Sequence, residues 1–378
     1  MTQIHTSTAG FTFLVRNFAG QEERFKGAFG ILERAIAARA FPACALAVTL
    51  GGDLVAHKAF GRFTYDPASP AATTSSLFDL ASLTKVVATT TMAMILYERG
   101  LLDLETPVTA IVPEFADGSD NDDKRRQVTL RLLLAHSSGL PAYEKLFLRA
   151  PTREALLQAA FSMPLTAAPG TRAEYSDIGF IVLGIALERL ADESLDVFCQ
   201  REIFGPLGMT HTTFNPALAL KSSVVPTADD RAFRHRLIQG EVQDENASIL
   251  GGVAAHAGLF STAEDLAIFA HSMLNAGYPI LRPGILELFS RREAAPIGTS
   301  RALGWDTPSS PSQSGKYFSP SSFGHLGYTG TSLWIDPERQ LSVSLLTNRT
   351  WPDCQNQAIK QVRPAVHDAV IEALESQD

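Results

Sequence analysis

The sequence predicts an α+β protein in which the two ends of the chain share one antiparallel sheet and a long, mostly helical segment is inserted between them. Three observations carry this expectation. A helix-period stretch is followed by two strand-like runs near the N-terminus. The character turns helical from about residue 80 to about residue 285. Strand-like runs and a last helix return at the C-terminus.

Taken in order, Phe25, Phe29, Leu32 and Ile36 repeat at helical spacing and predict a helix over 21–39. "ACALAVTLGGDLVAHKAFG" reads as two strands about Gly51-Gly52, a dipeptide that accepts the positive φ of a tight hairpin. Residues 83–99 are a mostly apolar helix stopped by Gly100. "VTLRLLLAHSSGLP" predicts a short helix ended by Gly139 and Pro141, and 177–191 a longer apolar one. "STAEDLAIFAHSML" opens with a capping box from Ser261 to Glu264. Residues 307–322, rich in Ser and Pro, are a loop. Two β-rich runs, 330–335 and 341–347, meet at the Asp336-Pro337 turn, and a helix over 355–376 is kinked at Pro364. The domain reading is 20–78 with 286–378 for the sheet, and 79–285 for the helical insertion.

Composition narrows the function. The chain has 378 residues, 45% hydrophobic and 19% charged, enough for a large core. Its formal net charge is −8 and its basic residues do not cluster, which argues against nucleic acid or an anionic membrane as partner. The acidic run "DGSDNDDK" reads as solvated surface. Cys44, Cys199 and Cys354 lie far apart with no C-x-x-C, which suits a reducing compartment and gives no disulfide framework or zinc knuckle. The N-terminal stretch lacks a basic n-region, its apolar patch being only Phe11 to Val15. The longest apolar run, "IGFIVLGIAL", is too short for a bilayer. The expectation is a cytoplasmic protein, or a periplasmic one if a leader has been removed. No H-E-x-x-H and no close pair of histidines occurs, so a metal site has no support, and there is no P-loop, G-x-S-x-G or G-x-G-x-x-G.

One stretch carries chemistry. In "DLASLTKVVATTTM", Ser82 and Lys85 stand three apart at the head of the apolar helix. Residues i and i+3 share a face, so the amine can reach the hydroxyl. A capped core helix explains Ser82 but not a Lys in a first turn, where it opposes the helix dipole among apolar neighbours. Burial lowers a lysine pKa, and a neutral Lys can take the serine proton. The helix start offers N–H groups to a developing oxyanion. Two further elements follow. "AEYSDIGF" holds Tyr175 and Asp177, where Ser176 or Asp177 also makes a good helix cap. "GHLGYTG" holds His325, Gly327 and Gly330, and glycines in a strand mark close backbone approach. His136 in "LLLAHSSGL" could suggest a triad base, but it sits near a helix end, where packing or dipole pairing explains it. Gly251-Gly252 reads equally as a wall of the cleft or as an ordinary loop.

S-x-x-K, then Y-x-D, then H-x-G, in this order, resembles the serine β-lactamase and penicillin-binding protein superfamily, in the branch with Tyr in the second motif. That branch holds class C β-lactamases, DD-peptidases and related esterases. The resemblance runs from about 25 to 375, and "GGVAAHAGLFSTAEDL" and "GHLGYTGTSLWIDP" are similar to a group that includes muropeptide amidases. It implies a β-lactamase/transpeptidase-like fold with the cleft between sheet and helical parts. It also implies an acyl-enzyme mechanism without cofactor. In that reading Ser82 is the nucleophile, Lys85 its base and Tyr175 a second proton shuttle. The N–H groups of Ser82 and Tyr328 form the oxyanion hole, and Asp177, His325 and Gly327 line the substrate site. Asp177 stands where Asn is usual and His325 where many β-lactamases have Lys. An ionised Asp cannot donate to a substrate carbonyl, and His, with an ordinary pKa of about 6.5, pulls weakly on a carboxylate. An esterase, amidase or peptidase acting on small or peptidoglycan-derived substrates is therefore expected ahead of a true β-lactamase or DD-carboxypeptidase. A non-catalytic scaffold of the same fold is the alternative of another class.

Overall fold

The computed structural model describes residues 5–6, 12–13, 16–116 and 122–375. Most of the acidic run and of the N-terminal apolar patch lies outside these.

Five strands form the main sheet: β1 (Ala43–Leu50), β2 (Asp53–Gly61), β6 (Phe323–Leu326), β7 (Ser332–Asp336) and β8 (Leu341–Thr347). Their order is β6-β7-β8-β1-β2, antiparallel throughout. The chain ends thus meet at the β8–β1 pair, with Leu341 opposite Leu50 and Thr347 opposite Cys44. Gly51 and Gly52, at φ 59° and 93°, make the β1–β2 hairpin as expected.

β1 is apolar without alternation because both faces of the sheet are covered. Ala43, Ala45 and Ala47 face one core, and Cys44, Leu46 and Val48 face the other. The second core is closed by α1 (Lys26–Ala37) and the C-terminal helix α9 (Ile359–Glu375). α9 begins four residues later than expected and carries Pro364 inside it. The first core runs from the sheet's inner face under α7 (Ala263–Leu274) into the helical segment. Thr262, not Ser261, caps α7, accepting from the Asp265 N–H at 3.2 Å. Ser261 is spent in strand β5 (Leu259–Ser261), which pairs with β3 (Phe78–Asp79) and β4 (Thr213–Phe214).

The segment expected as one helix over 83–99 has three windings. A tight turn spans Ala81–Leu83, a wide π-type stretch spans Lys85–Thr90, and α2 (Thr91–Glu98) follows. Buried threonines shape it: Thr91 Oγ1 donates to Val86 O at 2.8 Å and Thr89 Oγ1 to Ala255 O at 2.7 Å. The short helix α3 (Leu130–Leu134) ends before Gly139, because His136 already turns the chain at φ 55°. Helix α5 (Asp177–Ala191) has its expected bounds, with Ser176 as cap. Gly184 lets α5 approach closely, since a Cβ there would stand 2.5 Å from that of Ala255.

Candidate active site

Ser82 follows a strained turn. Ala81 sits at φ 47°, and buried Asp79 holds it by accepting the Ala81 N–H at 2.7 Å on one oxygen and the Gln243 N–H at 2.6 Å on the other. Burial pushes the Asp79 carboxyl up to about 6 despite these bonds. Two side chains converge on Ser82 Oγ. Lys85 Nζ donates at 3.0 Å and Tyr175 Oη at 2.7 Å.

Lys85 is fully buried, and its three N–H groups have three acceptors. These are Ser82 Oγ, Asp177 Oδ1 at 2.6 Å and the His256 carbonyl at 2.9 Å. Burial acts to lower its pKa, but the Asp177 carboxylate outweighs it and the net shift is upward. Lys85 is therefore an ammonium paired with Asp177, where the sequence suggested a neutral amine. Asp177 lines the cleft as expected, and it does so as the partner of Lys85.

Tyr175 is set by His136. The His136 ring lies 4.7 Å from the Tyr175 ring, its Nδ1 accepts the Ser176 N–H at 3.0 Å, and its carbonyl accepts the Glu174 N–H at 2.8 Å. The imidazole proton is therefore on Nε2. Burial, then Arg301 and Lys85, hold the His136 pKa well below its ordinary value, so it packs as a neutral ring. Burial raises the Tyr175 pKa, with Asp177 adding to the effect.

His325 is buried on β6. Its Nδ1 donates to the Leu326 carbonyl at 2.8 Å, and burial, with Lys85 and Arg301 nearby, keeps it neutral. Gly327 follows because nothing larger fits: a Cβ would lie 1.9 Å from Thr331 Oγ1 and 2.4 Å from the Leu80 carbonyl. Thr329 Oγ1 and Thr331 Oγ1 donate to the Asp79 and Leu80 carbonyls at 2.7 and 2.9 Å, tying this loop to the chain entering Ser82. The backbone N–H groups of Ser82 and Tyr328 donate to no acceptor among the described residues.

Ser82, Tyr175, Asp177, His325, Gly327 and Tyr328 all line one cleft of about 730 Å³, with Lys85 buried behind Ser82. That volume suits a small organic or peptide ligand. Gly251-Gly252 lies outside the lining; a Cβ on Gly252 would meet Asn215. Sequence reading missed other lining residues. His256 Nε2 and Asp244 Oδ1 are 3.0 Å apart, and Asp244 also caps a helical turn by accepting the Ala247 N–H. Arg301 stands 5.3 Å from the Tyr175 ring centre. Its guanidinium makes no hydrogen bond among the described residues, the Asp306 carboxylate being 3.7 Å away. No local pattern marks these residues; only the cap at Asp244 is readable in sequence. Among the described residues no group of three or more His, Cys, Asp or Glu could hold a metal ion. No helix there is long and apolar enough to cross a membrane.

Comparison with known proteins identifies the family. The family model described as Beta-lactamase matches residues 29–366. An N-acetylmuramyl-L-alanine amidase of Bacillus subtilis (strain 168) is 34% identical over 360 residues, covering 84% of this chain and 79% of the relative. A putative D-alanyl-D-alanine carboxypeptidase of Escherichia coli (strain K12) is 32% identical, covering 82% and 79%. EstCE1, a hydrolase with promiscuous acyltransferase activity, superposes with a TM-score of 0.75 at 21% identity, over 93% of this chain and 99% of its own. A class C beta lactamase from Rhodobacter sphaeroides gives 0.71 at 21%, over 92% and 99%. At such identity these two show the fold.

Proposed function

Because the chain belongs to the Beta-lactamase family, and is with it a serine hydrolase that works through an acyl-enzyme, we propose that Ser82 is the residue acylated and that the substrate is a carboxylate-bearing amide of peptidoglycan origin. The observation that carries the site assignment is the pair of bonds on Ser82 Oγ, from Lys85 and from Tyr175, beside two N–H groups that donate to nothing among the described residues. In this reading the helical part (79–285) supplies Ser82, Lys85 and Tyr175. The sheet part (20–78 and 286–378) supplies His325 and Tyr328, and the cleft lies between these two domains.

The proton inventory closes. Ser82 Oγ bonds to the substrate carbonyl carbon, and its proton passes to Lys85 Nζ as Lys85 releases one to Asp177 Oδ1. The carbonyl oxygen takes the negative charge against the Ser82 and Tyr328 N–H groups. On collapse the bond to the leaving amine breaks and Tyr175 Oη gives it a proton. Tyr175 recovers its proton from Asp177 through Lys85, whose Nζ stands 4.9 Å from the Tyr175 ring centre. Water then enters in the amine's place, and the same groups return Ser82.

The substrate class rests on two supports. The curated relatives are named as an N-acetylmuramyl-L-alanine amidase and as putative carboxypeptidases. In the cleft, His325 is neutral, while Arg301 beside Tyr175 is a cation whose ion-pair partner among the described residues is Asp306, at 3.7 Å, suited to a carboxylate on the leaving side. Three free cysteines fit a reducing, cytoplasmic setting, where recycled wall fragments would be met.

The test has two arms. Exposure to a fluorophosphonate, followed by intact mass, is expected to give one adduct that Ser82→Ala abolishes; no adduct would favour a non-catalytic scaffold. Turnover of muropeptides, p-nitrophenyl esters and nitrocefin is then compared. Nitrocefin kcat/KM of about 10⁴ M⁻¹s⁻¹ or more, with muropeptides inert, would instead make this a β-lactamase.

A further inference from the structure

Two arginines at the cleft have no carboxylate partner among the described residues. Arg363, on α9, is almost fully buried, and Arg349 follows β8. Burial lowers the pKa of both, and Arg363, which also feels Arg349, falls to about 9. A buried guanidinium without a counter-charge is costly unless its donors are met. Here they are met by backbone carbonyls, those used by Arg363 all in the 327–331 loop, while Arg349 Nη1 also donates to Cys354 O at 3.0 Å and Asn356 O at 3.3 Å. Arg363 Nη2 donates to Gly327 O at 2.5 Å and Thr331 O at 2.9 Å, and its Nε to Gly330 O at 3.3 Å. Arg349 Nε donates to Tyr328 O at 2.6 Å. Its own N–H and Thr347 Oγ1 donate to Thr329 O at 2.9 and 3.0 Å. Every carbonyl from Gly327 to Thr331 is thus engaged.

The Gly327–Tyr328 peptide unit is the informative one. Its oxygen is Gly327 O, held by Arg363 and, within the turn, by the Gly330 N–H at 3.0 Å. Its nitrogen is Tyr328 N, which donates to nothing among the described residues. In a trans peptide the two point in opposite directions, so a cation on the oxygen side leaves the N–H aimed away from it. A hydrogen bond to the carbonyl also polarises the amide and strengthens its N–H as a donor, by about 10–30% per bond.

We infer that Arg363, seconded by Arg349, is a positioning residue of the oxyanion site: it fixes and polarises the Gly327–Tyr328 peptide so that the Tyr328 N–H stabilises the charge formed on the substrate carbonyl. The inference rests on the acyl-enzyme reading of Ser82 and Tyr328 given above. It gives the two buried cations a task that loop support alone does not require. A positive charge behind the peptide acts little on a neutral ground-state carbonyl and more on an oxyanion.

The experiment uses Arg363→Met, which keeps the bulk, Arg363→Lys, which keeps the charge, and Arg349→Met. The probes are p-nitrophenyl acetate and phenylboronic acid, whose tetrahedral adduct on a serine places an anionic oxygen in the oxyanion hole. For Arg363→Met we expect kcat to fall about 10- to 100-fold with KM within about threefold. That is less than the loss of about 10²–10³ for deleting a donor outright. Boronate affinity should fall in parallel, Arg363→Lys should recover part of both, and Arg349→Met should show a smaller loss of the same kind. The inference is overturned if folded Arg363→Met keeps kcat and boronate affinity within about threefold of wild type. It is equally overturned if kcat and KM are lost only in proportion to unfolded protein and lysine restores neither. Should Arg363→Met not fold, Arg349→Met and Arg363→Lys decide by the same criteria. A wild-type protein that neither binds boronate nor accepts fluorophosphonate at Ser82 removes the acyl-enzyme reading itself, and this inference with it.

Discussion

Replacing Asp177 tests the charge state of the site more sharply than replacing Ser82. Lys85 is fully buried with three donors on three acceptors, and only Asp177 among these carries charge. Asp177→Asn keeps an acceptor oxygen but removes the charge. A hydrogen bond to a charged group contributes about 1.5–3 kcal/mol and a neutral one about 0.5–1.5, so the expected loss at pH 7 is about 1–2 kcal/mol. Asp177→Ala removes the acceptor as well and leaves a buried, unpaired ammonium, for which about 3–5 kcal/mol is expected. Chemical denaturation at pH 7 measures both.

The pH dependence has a definite sign. In the wild type the Lys85 pKa is raised, so its stabilising contribution is fully present below the unfolded value of about 10.4 and is lost only as pH rises through the higher folded one. In Asp177→Asn, burial remains without the carboxylate that outweighed it, and Lys85 loses its proton more readily. The stability gap between wild type and Asp177→Asn should therefore narrow between pH 7 and about pH 10. Acylation by a fluorophosphonate, followed by intact mass, should change shape too. In the asparagine variant the relay to Asp177 is gone, so the rate should be low near neutrality and climb with pH as free amine appears. A gap that stays constant with pH, together with an acylation profile parallel to wild type, would refute the assignment of Lys85 as an ammonium held by Asp177.

Other perturbations follow from the same geometry. Tyr175→Phe keeps the ring against His136 but deletes the bond to Ser82 Oγ. It should lower kcat for an ester by about 10²–10⁴ with little change in melting temperature. Asp79, with a folded pKa of about 6 against an unfolded value near 4, contributes stability below about pH 4 that is lost as pH rises through 6. The loss is about 3 kcal/mol, which should appear in wild-type denaturation curves between pH 4 and 7 and be absent from Asp79→Asn. Gly327→Ala would drive a methyl into Thr331 Oγ1 and the Leu80 carbonyl. Ser82 labelling should fall at least tenfold while far-UV circular dichroism is unchanged, because the clash is confined to the loop.

What the sequence showed was local chemistry. Gly51-Gly52 announces its hairpin because two positive φ angles need residues without a Cβ penalty, and Ser176 announces α5 by capping it. The sharing of one sheet by both chain ends followed from the order of strand and helix periods. The three windings over 81–98 were hidden, because the hydroxyls that set them reach Val86 and Ala255 rather than a sequence-periodic face. The capping box was misplaced by one residue because strand β5 claims Ser261. Motif order singled out Ser82, Lys85, Tyr175 and His325, which the fold brings together at one cleft. Asp244, His256, Arg301, Arg349 and Arg363 were not singled out, because each acts through a contact with a distant part of the chain.

The charge state of Lys85 shows where that limit falls. Its burial could be expected from the apolar run around it, and burial alone predicts a neutral amine. The departure at Asp177 was equally visible. Joining the two required knowing that helix α5 places Asp177 Oδ1 2.6 Å from Lys85 Nζ, which no spacing rule contains. Once joined, the two departures act in opposite senses. Asp177 adds an acid at the nucleophile and holds a cation there. His325 removes a cation from the sheet side of the cleft, and Arg301 beside Tyr175 provides one on another element. A substrate whose carboxylate sits on the leaving group would meet Arg301, whereas one that relied on a cation at position 325 would meet a neutral ring. Hydrolysis of a carboxylate-bearing amide should therefore exceed that of its carboxamide analogue, and Arg301→Gln should abolish the preference while leaving turnover of a neutral ester within about threefold. A preference that survives Arg301→Gln would place the recognition elsewhere in the cleft.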